Sequence, residues 1–272
     1  RSAPITSAGH AQLVELQDGS WWAVFLATRP YQGNHYTLGR ETFLLPVQWR
    51  DGWPVILPHG TAVPAVATRP PLPAGTQDAP TSGPMQWSEH FQDARVPMQW
   101  MTIHPPTAPW YVTGPQGLRI TPSSVALGDI GRGQPAYLGH RLQHHHATLA
   151  ATVDGSTLAA GEQAGLAIVA RETHYLALLL VREDAGMSVV LSRRAGTQEP
   201  GSGIVLARAP LADATQPVTL RFALDGARVH VDYAVGSGQW QTLLEQGDAR
   251  TLSTDSAGGF LGATFGPYAY AQ

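Results

Sequence analysis

Four Asp-Gly pairs punctuate this chain: Asp18-Gly19, Asp51-Gly52, Asp154-Gly155 and Asp225-Gly226, each at the end of an apolar run of strand length. Glycine accepts the positive φ of a tight turn and aspartate bonds its own backbone there, so such a pair between apolar runs marks a β-hairpin. The first joins Ala11–Leu16 to Trp21–Ala27, and the second joins Glu41–Gln48 to Trp53–Leu57. Four antiparallel strands within about 50 residues match one blade of a propeller, whose faces must pack on neighbouring blades. Further chain is therefore expected before Arg1.

Residues Pro58–Pro84 hold seven prolines (58, 64, 70, 71, 73, 80 and 84). Proline brings no amide donor to a sheet and stiffens the chain toward extended geometry, so this stretch reads as a linker. Beyond it, apolar runs recur at Leu118–Ile120, Ala147–Val153, Ala164–Ala170, Tyr175–Arg182, Met187–Arg193, Val218–Leu224, Arg228–Val235 and Gly258–Ala271. Strands at roughly ten-residue spacing indicate a sandwich. The organisation expected is a blade over 1–57, a linker over 58–84 and a β-sandwich over 85–272. Gly 29 and Pro 22 with only 14% charged residues support a nearly all-β chain.

The net charge of -3 and the absence of a basic run argue against nucleic acid and against a membrane surface. All 17 cations are arginine, and cysteine is absent, which leaves the compartment open, with a bacterial periplasmic or secreted place favoured over the cytoplasm. No apolar run approaches the ~20 residues that span a bilayer, and residues 1–9 lack the apolar core of a signal peptide.

The segment Leu38-Gly39-Arg40-Glu41-Thr42 sets a charged fork at the mouth of a strand. Together with Gly9-His10-Ala11, Asp18-Gly19-Ser20-Trp21-Trp22, Thr28-Arg29-Pro30 and Trp49-Arg50-Asp51-Gly52-Trp53-Pro54, it resembles the end of the catalytic propeller of glycoside hydrolase family 43. The similarity is to its two-domain β-xylosidases and α-L-arabinofuranosidases. Ala164-Gly165-Leu166, Thr173-His174-Tyr175 and Gly259-Phe260-Leu261-Gly262-Ala263 resemble that group's C-terminal concanavalin A-like sandwich (a jelly roll).

The resemblance implies a five-bladed propeller with an inverting mechanism: an aspartate base, a glutamate acid and a second aspartate. Inversion sets two carboxyls roughly 6.5 to 9.5 Å apart, with room for the attacking water. In the family these acids lie in earlier blades, so no catalytic residue carries over to this chain, and Glu15, Glu41 and Asp51 are not promoted in their place. By the resemblance, an N-terminal propeller polypeptide completes the enzyme, and the substrates are xylo- or arabino-oligosaccharides from hemicellulose.

Arg40 matches the arginine that holds the sugar in the first subsite. A guanidinium can bond two adjacent hydroxyls and can lower the pKa of nearby acids; the competing assignment is a surface ion pair with Glu41 or Asp51. His10 matches the histidine near the floor of the central tunnel, where in several relatives it faces a calcium or its water shell; an ordinary core histidine is the competing assignment, and calcium wants six to eight oxygens. No cofactor is otherwise required. Tyr36, with Tyr31 and His35, lies in the loop before Arg40 and is placed to touch substrate. The family's lid phenylalanine aligns with Thr264, and Phe265, pointing to the opposite face, does not simply substitute for it.

His144-His145-His146 could share a metal, but strand pairing is the preferred assignment, since a third ligand is missing. Most of Trp21, Trp22, Trp49 and Trp53 read as packing between blades rather than as sugar platforms. Two rivals to the enzyme stand. One is a non-catalytic carbohydrate-binding module, which needs exposed aromatics among Trp87, Trp100, Trp110 and Trp240. The other has the sandwich brace the propeller and build a homo-oligomer interface.

Overall fold

The computed structural model describes residues 3–72, 85–212 and 215–272. The chain forms two units: residues 1–30 with 40–90, and residues 31–39 with 91–272. The described part of the expected linker, up to residue 72, groups with the first unit, as do residues 85–90 at the start of the expected sandwich, and 73–84 lie outside the described residues.

The first unit is an antiparallel four-stranded sheet in sequential order: β1 (Thr6–Glu15), β2 (Trp21–Thr28), β3 (Glu41–Arg50) and β4 (Trp53–Val55). Ser20 donates to the Asp18 carboxylate from both its amide and its hydroxyl, at 2.9 and 2.6 Å, which pins the first turn. In the second, Asp51 and Gly52 both take positive φ (50° and 80°) between the paired residues Arg50 and Trp53, the tight two-residue geometry that matches strand twist. Period two places Ala23, Phe25 and Ala27 in one core with Leu45 and Val47. Leu13, Val24, Leu44, Trp49 and Trp53 are exposed. The fourth strand ends at Val55 rather than at Leu57.

The second unit has thirteen strands among its described residues: β5 (Trp100–Thr102), β6 (Tyr111–Gly114), β7 (Gly117–Ile120), β8 (Ala136–Arg141), β9 (His146–Val153), β10 (Glu162–Arg171), β11 (His174–Glu183), β12 (Gly186–Ala195), β13 (Ile204–Pro210), β14 (Val218–Asp225), β15 (Arg228–Val235), β16 (Gln241–Asp248) and β17 (Thr264–Ala271). They build a seven-stranded sheet, β13-β12-β11-β10-β17-β8-β5, a four-stranded sheet, β16-β15-β14-β9, and the hairpin β6-β7. The two larger sheets share a core. Leu166, Ile168, Leu176, Leu178 and Leu180 enter it from one side, and Leu220, Phe222, Val229 and Val231 from the other.

The reverse face of the seven-stranded sheet is covered as well. Ala167, Val169, Tyr175, Ala177 and Leu179 pack there with Tyr137, Tyr268 and Leu127, the last from a short helical turn over Leu127–Arg132. Burial on both faces explains why β11 reads as an unbroken apolar run instead of an alternation.

Asp154-Gly155 follows the end of β9, as expected, and the turn carries the chain to β10 in the other sheet. The last strand starts at Thr264, not at Gly258: Gly258 and Gly259 take φ of 78° and 81°, which no pleated strand accommodates. β5, β6, β8, β13 and β16 went unforeseen because their mixed segments carry little apolar periodicity.

Candidate substrate site

In the first unit, Arg40 is the residue before β3, and its side chain is exposed. Arg29 takes the whole Glu41 carboxylate in a two-point fork, Nε to Oε2 at 2.8 Å and Nη2 to Oε1 at 2.6 Å, and this pair holds the Arg29 guanidinium above its ordinary pKa. Asp51 lies at the far end of β3, about 30 Å along a ten-residue strand.

His10 sits on β1 where the register with β2 slips between Gly9 and Gln12, with φ of 55°. Its side chain is exposed in this chain. Cross-strand register aligns Gly9 with Leu26, and Leu26 with Thr42. His10 and Arg40 therefore belong to the same end of this sheet, the end where β3 begins. Among the described residues no three His, Cys, Asp or Glu side chains gather into a metal-holding group. His10 by itself does not meet the oxygen-rich demand of calcium, and no step is drawn through a metal.

In the second unit, Tyr36 is held by its backbone. Its amide donates to the Ser253 hydroxyl at 2.7 Å, and its carbonyl accepts from the Thr254 amide at 3.3 Å. On either side, Tyr31 and Thr37 share a hydroxyl hydrogen bond of 2.6 Å, and His35 Nδ1 stands 3.0 Å from Asp255 Oδ1. Burial pushes the Tyr31 phenol up. The segment then runs beside residues 261–263: Ala263 donates to the Thr37 carbonyl at 2.8 Å, and Gly39 bridges to Leu261. Arg141 donates to the Gly262 carbonyl at 2.7 Å and so fixes the other side of the crossing.

Thr264 follows directly. Its hydroxyl exchanges a 2.9 Å hydrogen bond with Tyr137, whose buried phenol is held well above its ordinary pKa by desolvation. Phe265 points to the other face, where its ring lies 5.5 Å from His140 and 6.4 Å from Trp100. Tyr36 and Thr264 are thus brought together in one unit through Thr37 and Ala263, while Arg40 and His10 stand together in the other.

The sequence reading missed Ser253, Asp255 and Arg141. Their partners lie 217, 220 and 121 residues away, and nothing local to them signals the pairing. Of the histidine run, only His146 lies on a strand, with Nδ1 2.7 Å from Asp225 on the paired β14, while the His145 ring packs edge-on to Tyr31 at 4.7 Å. Trp21 and Trp49 meet edge to face at 5.3 Å and Trp22 is buried, while Trp49 and Trp53 are exposed.

Comparison with known proteins gives a consistent result. Residues 88–272 match the family described as the β-xylosidase C-terminal concanavalin A-like domain, and residues 1–54 match the glycosyl hydrolases family 43. A non-reducing end α-L-arabinofuranosidase of Bacteroides ovatus is 29% identical over 274 residues, 98% of this chain and 48% of that protein. A xylosidase/arabinosidase of Butyrivibrio fibrisolvens is 28% identical, over 98% of this chain and 49% of its own length. Among solved structures, a Bacteroides ovatus xyloglucan PUL GH43B protein superposes with a TM-score of 0.85 at 26% identity, covering 99% of this chain and 51% of that one. The GH43 protein BlXynB of Bacillus licheniformis gives 0.83 at 28% identity, covering 99% and 51%. The chain spans about half the length of the curated relatives it matches.

Proposed function

The chain belongs to glycoside hydrolase family 43, and from that premise we propose that it is the C-terminal part of an inverting glycosidase that releases terminal xylose or arabinose from hemicellulose-derived oligosaccharides. The observation that carries this proposal is the alignment of 98% of the chain with relatives named as an arabinofuranosidase and a xylosidase/arabinosidase. In this proposal the catalytic carboxylates come from the N-terminal propeller portion. Against that portion the exposed apolar side chains Leu13, Val24, Leu44, Trp49 and Trp53 would be buried. An inverting pair of carboxyls roughly 6.5 to 9.5 Å apart protonates the departing oxygen and activates water on the opposite face of the sugar.

Arg40 is the substrate-holding group of this chain. Arg29 engages the Glu41 carboxylate, and the exposed Arg40 guanidinium is a planar fork of the kind that bonds sugar hydroxyls in pairs. It positions the sugar and takes no part in bond cleavage. The test is to produce the chain joined to its N-terminal portion and assay aryl β-xylosides and aryl α-L-arabinofuranosides with Arg40→Ala. Loss of a charge-assisted two-point contact worth about 3 kcal/mol lowers kcat/KM by roughly a hundredfold. Unchanged turnover on both substrates removes the role assigned to Arg40, and absence of turnover on either substrate by the unaltered protein removes the proposed activity.

A further inference from the structure

The outward face of the four-stranded sheet carries a preorganised polar group that the proposed hydrolysis does not use. Leu220 and Phe222 on β14 and Val229 and Val231 on β15 point into the core, so the residues between them point outward. One cross-strand row on that face reads Ala150, Arg221, Asp232, Thr242. Asp232 is only 2% exposed although it sits on the solvent side. Its two oxygens take Arg221 Nε at 2.9 Å and Arg221 Nη2 at 2.5 Å, His230 Nε2 at 2.6 Å and the Thr242 hydroxyl at 3.3 Å.

The consequence is a guanidinium locked in place. Arg221 Cζ lies 3.8 Å from the centroid of the Trp240 ring, and Trp240, in the turn between β15 and β16, remains 45% exposed. Arg221 bonds Asp232 through Nε and Nη2 alone, which leaves Nη1 for another acceptor among the described residues. A buried ion pair contributes little to stability by itself, because desolvation offsets the attraction. Here it fixes an arginine against an exposed indole. The flanking rows are Thr152, Thr219 and Ala234 on one side, where the two threonine hydroxyls bond each other at 3.0 Å, and Thr148, Ala223 and His230 on the other. Apart from His230, whose ring is tied to Asp232, these flanking side chains are small, and Trp240 is the aromatic platform beside them.

We infer that this face binds a saccharide chain. The sugar stacks on the open part of the Trp240 ring, and Arg221 Nη1 and the Thr242 hydroxyl meet its hydroxyls. Arg221 and Asp232 neutralise each other, so the surface suits an uncharged polyhydroxylated ligand with an apolar ring face. The ligand class rests on the glycosidase reading above, whereas the site lies wholly in the sandwich and needs no catalytic carboxylate.

The test is native affinity electrophoresis of the full 272-residue chain through gels holding soluble arabinoxylan, with xylohexaose titrations by calorimetry. Trp240→Ala is compared with Trp53→Ala, which removes a tryptophan 75% exposed in the other unit. Expected are retardation of the wild-type chain and of Trp53→Ala, and loss of retardation with about a tenfold weaker affinity in Trp240→Ala at unchanged melting temperature. Wild-type migration unaffected by the polysaccharide overturns the inference, as does equal retardation of Trp240→Ala. A wild-type sedimentation coefficient that rises with concentration, and falls in Trp240→Ala, assigns the face to a second copy of the chain and also overturns it. Turnover of aryl pentosides by the chain joined to its N-terminal portion is read separately. Turnover without retardation refutes this site alone, and retardation without turnover refutes the enzymatic reading alone.

Discussion

The crossing of Gly39 and Gly262 is the point at which a single methyl group does the most damage. Gly39 takes φ of +67°, and a Cβ built there would stand 2.2 Å from the Gly262 nitrogen and 2.6 Å from the Leu261 carbonyl carbon. These are backbone atoms that cannot rotate aside, and they are held by the Ala263 amide on Thr37 and by Arg141 on the Gly262 carbonyl. Alanine at 39 costs about 1 kcal/mol for the left-handed conformation, and forced displacement of packed backbone costs about 1–3 kcal/mol more. The total of about 3 kcal/mol corresponds to a fall of about 10 °C in the melting temperature of a unit this size.

Two companion variants separate these contributions. Gly161→Ala has a similar φ of +85° but nothing nearer than 3.8 Å, and measures the conformational cost alone. Gly262→Ala meets the Leu38 carbonyl oxygen at 2.1 Å and lacks a positive φ, so it measures the clash alone. Thermal unfolding of the whole chain, followed by circular dichroism and read at the sandwich transition, ranks Gly39→Ala below Gly262→Ala and Gly161→Ala as the mildest. Gly39→Ala and Gly161→Ala falling within about 1 kcal/mol of each other would refute the steric argument.

Phe222 is fully buried between the two sheets, so Phe222→Ala lowers sandwich stability by about 3–5 kcal/mol in a urea titration; a loss under about 1 kcal/mol contradicts the assigned core. Stability of the sandwich falls as pH drops below about 6.5, because burial lowers the pKa of His140, and burial followed by the Arg171 charge lowers that of His174. The unfolded chain then takes up protons that the folded one refuses. The histidine contribution is therefore fully present above the ordinary value of 6.5 and is lost as pH falls through the lowered folded values. Denaturation midpoints between pH 7.5 and 5 should show a shallower decline for His140→Gln, and an identical slope would refute the assignment.

Much of the blade was legible in sequence because its information is local. Asp18-Gly19 and Asp51-Gly52 fix two turns through φ and side-chain capping, and the apolar alternation beside them fixes which face is buried. Arg40 could be singled out from its neighbours alone. The ambiguity about its partner could not be resolved that way: Glu41 adjoins it in sequence yet pairs with Arg29 across the sheet. Thr264 and Phe265 were separable by strand parity, and they do face Tyr137 and His140 respectively.

The amino-acid sequence by itself determined the strand-rich class, the hairpin turns and the family signature, since turn chemistry and period-two patterning act over a few residues. Only the tertiary structure decided that Asp154-Gly155 crosses between sheets, that residues 31–39 leave the blade's strands to be laced to Ser253, Asp255 and residues 261–263, and that Arg221, Asp232, Thr242 and Trp240 converge on one face. Each of these depends on which strands become neighbours. That choice is made by the burial of Leu166, Leu178, Leu220 and Phe222 in a common core, a cooperative free energy spread over residues far apart in the chain, to which no short stretch of sequence points by itself.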